Sequence, residues 1–159
     1  MIENLLIKKE KKNFFQINIK DDKDFKNLVV NVKNVFLPFG LEEFQNKYCI
    51  NFEVDKESEF YTLIRLLESK LNELIETEVE LKSVFHKKPK FNLLCKGHVK
   101  KTKNLFITKF LKNNKENSLF ELEKQKKYNL ELEVSGIWIF RNSGGLYLNI
   151  KSISTNNNI

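Results

Sequence analysis

The residues best suited to chemistry in this chain are flat rings interleaved with cations. The stretch GIWIFRNSGGLYLNIKSI (136–153) carries Trp138, Tyr147, Arg141 and Lys151 in two alternating apolar runs joined by a short polar turn. An earlier stretch, 91–110, carries Lys96, Lys100, Lys101, Lys103, Phe106 and Lys109. Rings that accept a stacked base, beside cations that follow a phosphate backbone, are what a single-stranded nucleic acid requires. The same rings could equally be barrel core or rim, and the residues leave both readings open.

Catalytic patterns are lacking. No GxGxxG, GxxxxGK[ST], HExxH or GxSxG run occurs, and neither His86 nor His98 has the context of a general base. The GG at 144–145 follows Asn-Ser between two strand-like runs, which is turn chemistry rather than a phosphate cradle. His86, Cys95 and His98 with Cys49 are four potential zinc ligands, but no paired CxxC or HxxxH spacing joins them. Two buried free thiols account for the cysteines better. The expectation is a non-catalytic protein without cofactor or metal.

Charge is unevenly distributed. The net formal charge is +7, yet residues 55–80 carry −5 while 81–127 carry +11, with fourteen Lys against three acids. The absence of Ala and the scarcity of Arg suggest an AT-rich coding sequence, which inflates Lys overall. Such drift does not remove acids from one segment. A basic face calls for a polyanionic partner whose counterions are released on binding. A merely solvated Lys-rich surface is the plainer alternative.

These residues must be held by a mainly β scaffold. NFFQINI (13–19), NLVVNV (27–32) and KYCINFEV (47–54) read as strands, with a turn at DDKD (21–24) and Pro38 and Gly40 ending regular structure in FLPFG. In 47–54, Tyr48, Ile50, Phe52 and Val54 share one face. The period changes at Asp55, where Phe60, Leu63, Ile64, Leu67, Leu71, Leu74 and Ile75 predict an amphipathic helix over about 57–76. Its outer face would display Glu68, Glu73 and Glu76. Strand-like runs resume at 79–85 (weakly), 91–98 and 103–110, the last two forming a predicted hairpin. The segment 118–127 is either one helical turn or an extended connection. The longest strand is expected at 128–140, paired with 145–153.

Gly136 interrupts that long strand, and glycine inside a strand often marks a bulge. With a bulge, Ile137 and Ile139 stay buried while Trp138 and Phe140 turn outward beside Tyr147. Without one, Trp138 and Phe140 are core. The fold class expected is α+β, mainly β: an OB-like five-stranded β-barrel with one helix inserted between strands. A single domain spans 1–153 and a flexible tail 154–159. With 14 Phe and 41% hydrophobic residues the chain has material for a core, and no apolar run approaches a membrane span.

In order of segments, YCINFEV, a helix, FNLLCKGHV, a Lys-rich turn, NLFITKF, KKYNLELEVSGIWIF and GLYLNIKSI resemble the OB-fold single-stranded-DNA-binding proteins of short-tailed phages. PFGLEEFQNKYCINFEV is similar to related proteins of large nucleocytoplasmic DNA viruses. The resemblance covers roughly 47–153. It implies a protein of replication, recombination and repair that coats single strands without strong sequence preference. Trp138 and Tyr147 would lie on the binding side, with Lys96, Lys103, Lys109 and Arg141 at phosphates. The phage proteins end in an acidic tail that recruits partners, whereas this sequence ends STNNNI. The acidic helix face is a candidate substitute for contacts with replication proteins.

The partner expected is therefore single-stranded DNA, with RNA an open alternative because preference for a 2′-hydroxyl is not written in the residues. Homo-oligomers are left open, and no membrane partner is expected. The location expected is intracellular, in host cytoplasm or nucleus, and at viral replication sites if the protein is viral. A non-catalytic structural or assembly protein, using the same barrel for protein contacts, is the alternative.

Overall fold

The structure is a computed structural model and describes residues 5–11, 14–21, 24–26, 28–74 and 79–155, with side chains over 28–73 and 79–155. Residues 75–76 of the expected helix, among them Glu76, residues 22–23 of the expected turn and 156–159 of the expected tail lie outside the described residues.

Strands dominate in chain order. β1 (Leu5–Lys11), β2 (Phe14–Asp21), β3 (Asp24–Lys26) and β4 (Leu28–Leu37) come first, followed by β5 (Glu42–Phe44) and β6 (Lys47–Glu53). The helix α1 (Glu59–Leu74) separates these from β7 (Glu80–Leu81), β8 (Phe85–His86), β9 (Leu94–Val99), β10 (Lys109–Lys112) and β11 (Lys115–Asn117). A 3-10 turn (Leu119–Glu121) leads to the two longest strands, β12 (Lys126–Phe140) and β13 (Ser143–Thr155). Mainly β with one helix, the described chain has the expected class. Its sheet, however, is not a closed five-stranded barrel. Among the described residues, thirteen strands join in one sheet whose main path runs open as β1-β2-β12-β13-β9-β6-β5. The N-terminal β1–β2 hairpin extends this path, because β2 pairs with β12 beyond the end of β4.

Asparagine does much of the turning that glycine does in other chains. Gln45 and Asn46 between β5 and β6, and Asn113 and Asn114 between β10 and β11, all have positive φ. Two successive positive-φ residues make the tight turn whose twist suits antiparallel strands, and Asn tolerates it.

The alternation read in the sequence becomes the core. Ile50, Phe52 and Val54 point inward, as do Leu130, Leu132 and Val134 on β12 and Leu146, Leu148, Ile150 and Ile153 on β13. The apolar stripe of α1 (Phe60, Ile64, Leu67, Leu71) closes over this surface. The cap of α1 is Ser58, whose Oγ accepts from the Tyr61 amide at 3.2 Å. Asp55, an acceptor of the type that caps helices, instead shapes the preceding turn by accepting from the Glu57 amide at 2.9 Å.

Glu68 departs from the expected acidic outer face. Its carboxylate accepts from the Ser83 hydroxyl (2.9 Å) and the Val84 amide (2.9 Å) and pairs with Arg65 (3.3 Å). It clamps the 83–84 connection between β7 and β8 to the helix and is only 11% exposed in its side chain. The face left to a partner is smaller by that residue, with Glu73 still exposed.

Two other expectations change. The 91–110 hairpin is not a β9–β10 pair: β10 runs parallel to β13 and pairs with β11. The strand β13 continues through Ser154 and Thr155, which pair with Asn129 and Tyr128, into the segment read as tail. The ambiguous 118–127 segment resolves into the 3-10 turn, capped by the Ser118 Oγ accepting from the Phe120 amide, followed by an extended connection.

Candidate nucleic-acid interface

A groove of about 740 Å³ opens where β6, β9 and β13 lie side by side. His98 sits at the centre of the three, opposite Cys49 across the antiparallel β6–β9 pair and opposite Asn149 across the parallel β9–β13 pair. That double pairing places Tyr147 and Asn149 on the floor beside His98, and Asn46, Lys47 and Tyr48 at one wall.

The other wall is the loop 100–107. Lys101 and Phe106 form a bridge, the Thr102 amide donates to the Leu105 carbonyl at 2.8 Å, and the Ile107 amide to the Lys100 carbonyl at 2.9 Å. Thr108 pins its base: the hydroxyl donates to the Ile150 carbonyl of β13 and accepts from the Lys100 amide. Lys100, Lys101 and Lys103 thereby line the groove together with Ile107. With Lys47 opposite, four ammonium groups border one open channel.

The floor is polar and organised. The Asn149 amide donates to the Ser135 hydroxyl at 2.8 Å, and that hydroxyl donates to the Tyr147 carbonyl at 3.3 Å. Glu133 is 7% exposed and pairs with the Lys100 ammonium at 3.8 Å, so the acid beneath the groove is partly neutralised. The His98 ring stacks on the Tyr147 ring, with centroids 4.5 Å apart and planes 6° from parallel. Burial, reinforced by the Lys96 and Lys47 ammonium groups, lowers the His98 pKa to about 4, so the imidazole is neutral at pH 7. Burial also raises the Tyr147 phenol.

Ser135, one residue before Gly136, is the bulge residue: Val134 pairs with Leu148 and Gly136 with Tyr147. The outward turn considered from the sequence follows in part: Ile137 is buried and Phe140 is 62% exposed, but Trp138 and Ile139 are both half-buried. Trp138 shares a sheet face with Tyr147, since it pairs with Gly145 two residues earlier on β13. Its indole lies over Gly145, where a Cβ would stand 3.2 Å from Nε1 and 2.7 Å from the Lys82 carbonyl. Glycine is needed there for close approach.

Of the ten residues singled out in the sequence, Tyr147, Lys100, Lys101 and Lys103 line the groove. Phe106 stands behind its wall, half-buried, with the Lys101 ammonium 5.6 Å from its ring centre. Lys96 lies two residues from His98 on the same face of β9. Lys151 is the extra residue of a second bulge in the β12–β13 pair and sits 3.9 Å from Glu131. Lys109 on β10 is exposed outside the lining. Trp138 is also outside it, and Arg141 lies at the hairpin tip, its guanidinium 5.3 Å from the Phe140 ring centre.

The sequence reading missed Lys47, Tyr48, His98 and Asn149 as groove residues. Tyr48 shares the inward face of Ile50, Phe52 and Val54, but near the start of β6 it packs only at the edge of the core, half-buried, and its other side lines the groove.

No protein-family model matches the chain, and no curated protein matches it significantly. Solved structures do. The C-terminally truncated single-stranded DNA-binding protein from bacteriophage Enc34 superposes with a TM-score of 0.58 at 15% identity, covering 99% of this chain and 96% of that one. The Enc34 single-stranded DNA-binding protein in complex with ssDNA gives 0.54 at 13% identity, over 99% and 97%. Both are phage proteins, and neither extends the likeness to large nucleocytoplasmic DNA viruses. Over nearly its whole length, the chain shares its fold with a phage single-stranded DNA-binding protein.

Proposed function

We propose that the chain binds single-stranded DNA without strong sequence preference and without catalysis, in the groove between Lys47–Tyr48 and the 100–107 loop. The observation that carries this reading is the lining itself: Lys47, Lys100, Lys101 and Lys103 around the stacked Tyr147–His98 pair. Lysines follow phosphates at any sequence, and a ring accepts any base. Duplex DNA is read by an element that enters a groove, and the one described helix packs its apolar stripe into the core. The phage protein of the same fold, solved with ssDNA, supports the choice of ligand. The sheet is read as an elaborated OB-like barrel, with the N-terminal hairpin added to it.

The biological setting in this reading is protection of exposed strands during viral replication, recombination or repair, inside the host cell. The test is anisotropy of a labelled dT oligonucleotide titrated at several salt concentrations. If the four groove lysines each meet a phosphate, log K falls against log salt with a slope near −3, at about 0.7 per contact. Salt-independent or absent binding overturns the proposal, and an rU competitor separates RNA from DNA.

One observation favours protein contacts instead. Phe44, Leu105, Ile107 and Phe120 are large apolar side chains exposed by half or more. Concentration-dependent self-association with no oligonucleotide binding is the outcome that would establish that reading.

A further inference from the structure

An exposed phenylalanine standing alone needs no explanation. Phe120 does not stand alone. Its side chain is 66% exposed, yet its ring is braced by two others: Tyr48 at 6.0 Å and Phe106 at 5.5 Å, at steep angles of 78° and 71°. Tyr48 and Phe106 also meet edge-on at 5.1 Å. The backbone beneath is equally set. The Ser118 hydroxyl accepts from the Phe120 amide, and the flanking Leu119 and Leu122 are buried. The protein therefore holds a large apolar ring in water in a fixed orientation, which is the property of a stacking surface rather than of a loose loop.

Its position relates it to the groove. Tyr48 and Lys101 line the groove, and the Lys101 ammonium stands 5.1 Å from the Tyr48 ring centre and 5.6 Å from that of Phe106. Phe120 meets both rings over which the Lys101 ammonium stands, so one cation and one groove-lining ring lie within a ring's breadth of it.

We propose that Phe120 is a second base-stacking site, outside the groove, for a nucleobase of the same strand that the groove holds. The inference rests on the groove reading and extends it. Phe120 adds bound length rather than entry, so its contribution is absent for strands that only fill the groove. Site sizes of single OB-type domains span about 4 to 16 nucleotides, which leaves room for such a difference.

The experiment compares dT oligonucleotides of about 4 and about 12 nucleotides on the full chain and its variants. Phe120→Ala is expected to weaken binding of the longer strand by about 10-fold, the scale of one lost base–aromatic stack, and to leave the shorter unchanged. Phe120→Trp is expected to restore the long-strand affinity and to show quenching by the long strand that the parent chain lacks. Phe120→Leu keeps apolar bulk without a ring face and is expected to behave as Phe120→Ala, which covers the case of an alanine variant that folds poorly. No loss on the long strand, or equal loss on both, overturns the proposal. Loss of self-association with unchanged DNA binding overturns it in favour of a protein contact. If the parent chain binds neither strand, the groove reading itself fails, and this proposal with it.

Discussion

His98 and Tyr147 lie ring on ring, 4.5 Å apart and 6° from parallel, joining β9 to β13 at the floor of the groove. Neither strand neighbours the other in sequence. The stack exists because β13 runs parallel to β9 and sets Asn149 beside His98.

The stack has a pH signature. Folding lowers the His98 pKa from 6.5 to about 4, through burial first and then Lys96 and Lys47. Between those values the unfolded chain binds the proton and the native chain does not, so stability rises with pH across that window. Acidification from pH 7 to 4 should therefore cost up to about 3 kcal/mol through this residue. Urea midpoints at both pH values check it. The loss should shrink in His98→Gln, and an equal loss in that variant would assign the effect elsewhere, for instance to His86, which burial also lowers.

Tyr147 lines the groove and Trp138 does not. Tyr147→Leu should therefore weaken dT binding by about 10-fold, on the scale of one base stack, while Trp138→Phe should change it less than about 2-fold. Oligonucleotide anisotropy at fixed low salt measures both. A reversed order would move the site toward the hairpin tip and Arg141.

Lys101 and Lys103 line the groove without a described ion pair to an acid. Replacing both by Gln should cost no more than about 0.5–1 kcal/mol of stability, the scale of the exposed contact that the Lys101 ammonium makes with the Tyr48 and Phe106 rings. The same change should reduce the salt slope of binding by about 1.4, two contacts at about 0.7 each. An unchanged slope would place the phosphates elsewhere.

Lys100 differs from these two because its ammonium stands 3.8 Å from Glu133, an acid 7% exposed. Lys100→Gln should cost stability as well as affinity, on the order of 1 kcal/mol once the lysine's own solvent exposure is discounted. Chemical denaturation of this variant beside the Lys101/Lys103 pair separates the two roles.

Gly145→Ala tests the packing under Trp138. The added methyl would stand 2.7 Å from the Lys82 carbonyl, and backbone there must shift. Destabilisation of about 1–3 kcal/mol is expected, with a shift in the Trp138 emission. A neutral substitution would show that the β7–β13 contact is looser than it stands here.

Much of the scaffold was legible because its signals are local. Ile50, Phe52 and Val54, or Leu130, Leu132 and Val134, alternate with a period of two, and a strand half-buried in water leaves that trace in the residues themselves. The stripe Phe60, Ile64, Leu67 and Leu71 does the same at helical period. Gly136 marked the bulge to within one residue. Glu68 was misplaced because helical spacing puts it on the outer side, and nothing in its surroundings announces that Ser83 and Val84 will close over it.

The amino-acid sequence by itself determined the longer strands, the helix and the concentration of lysine between 81 and 127, and offered the bulge at Gly136 as one of two readings, since propensity, period and charge are properties of neighbouring residues. Only the tertiary structure decided which of those lysines face one groove. Lys47 and Tyr48 meet Lys100, Lys101 and Tyr147 through the β6–β9 and β9–β13 pairings and the Thr108 pin to β13. Such long-range backbone hydrogen bonds use groups that every residue carries, so no side-chain pattern declares them in advance.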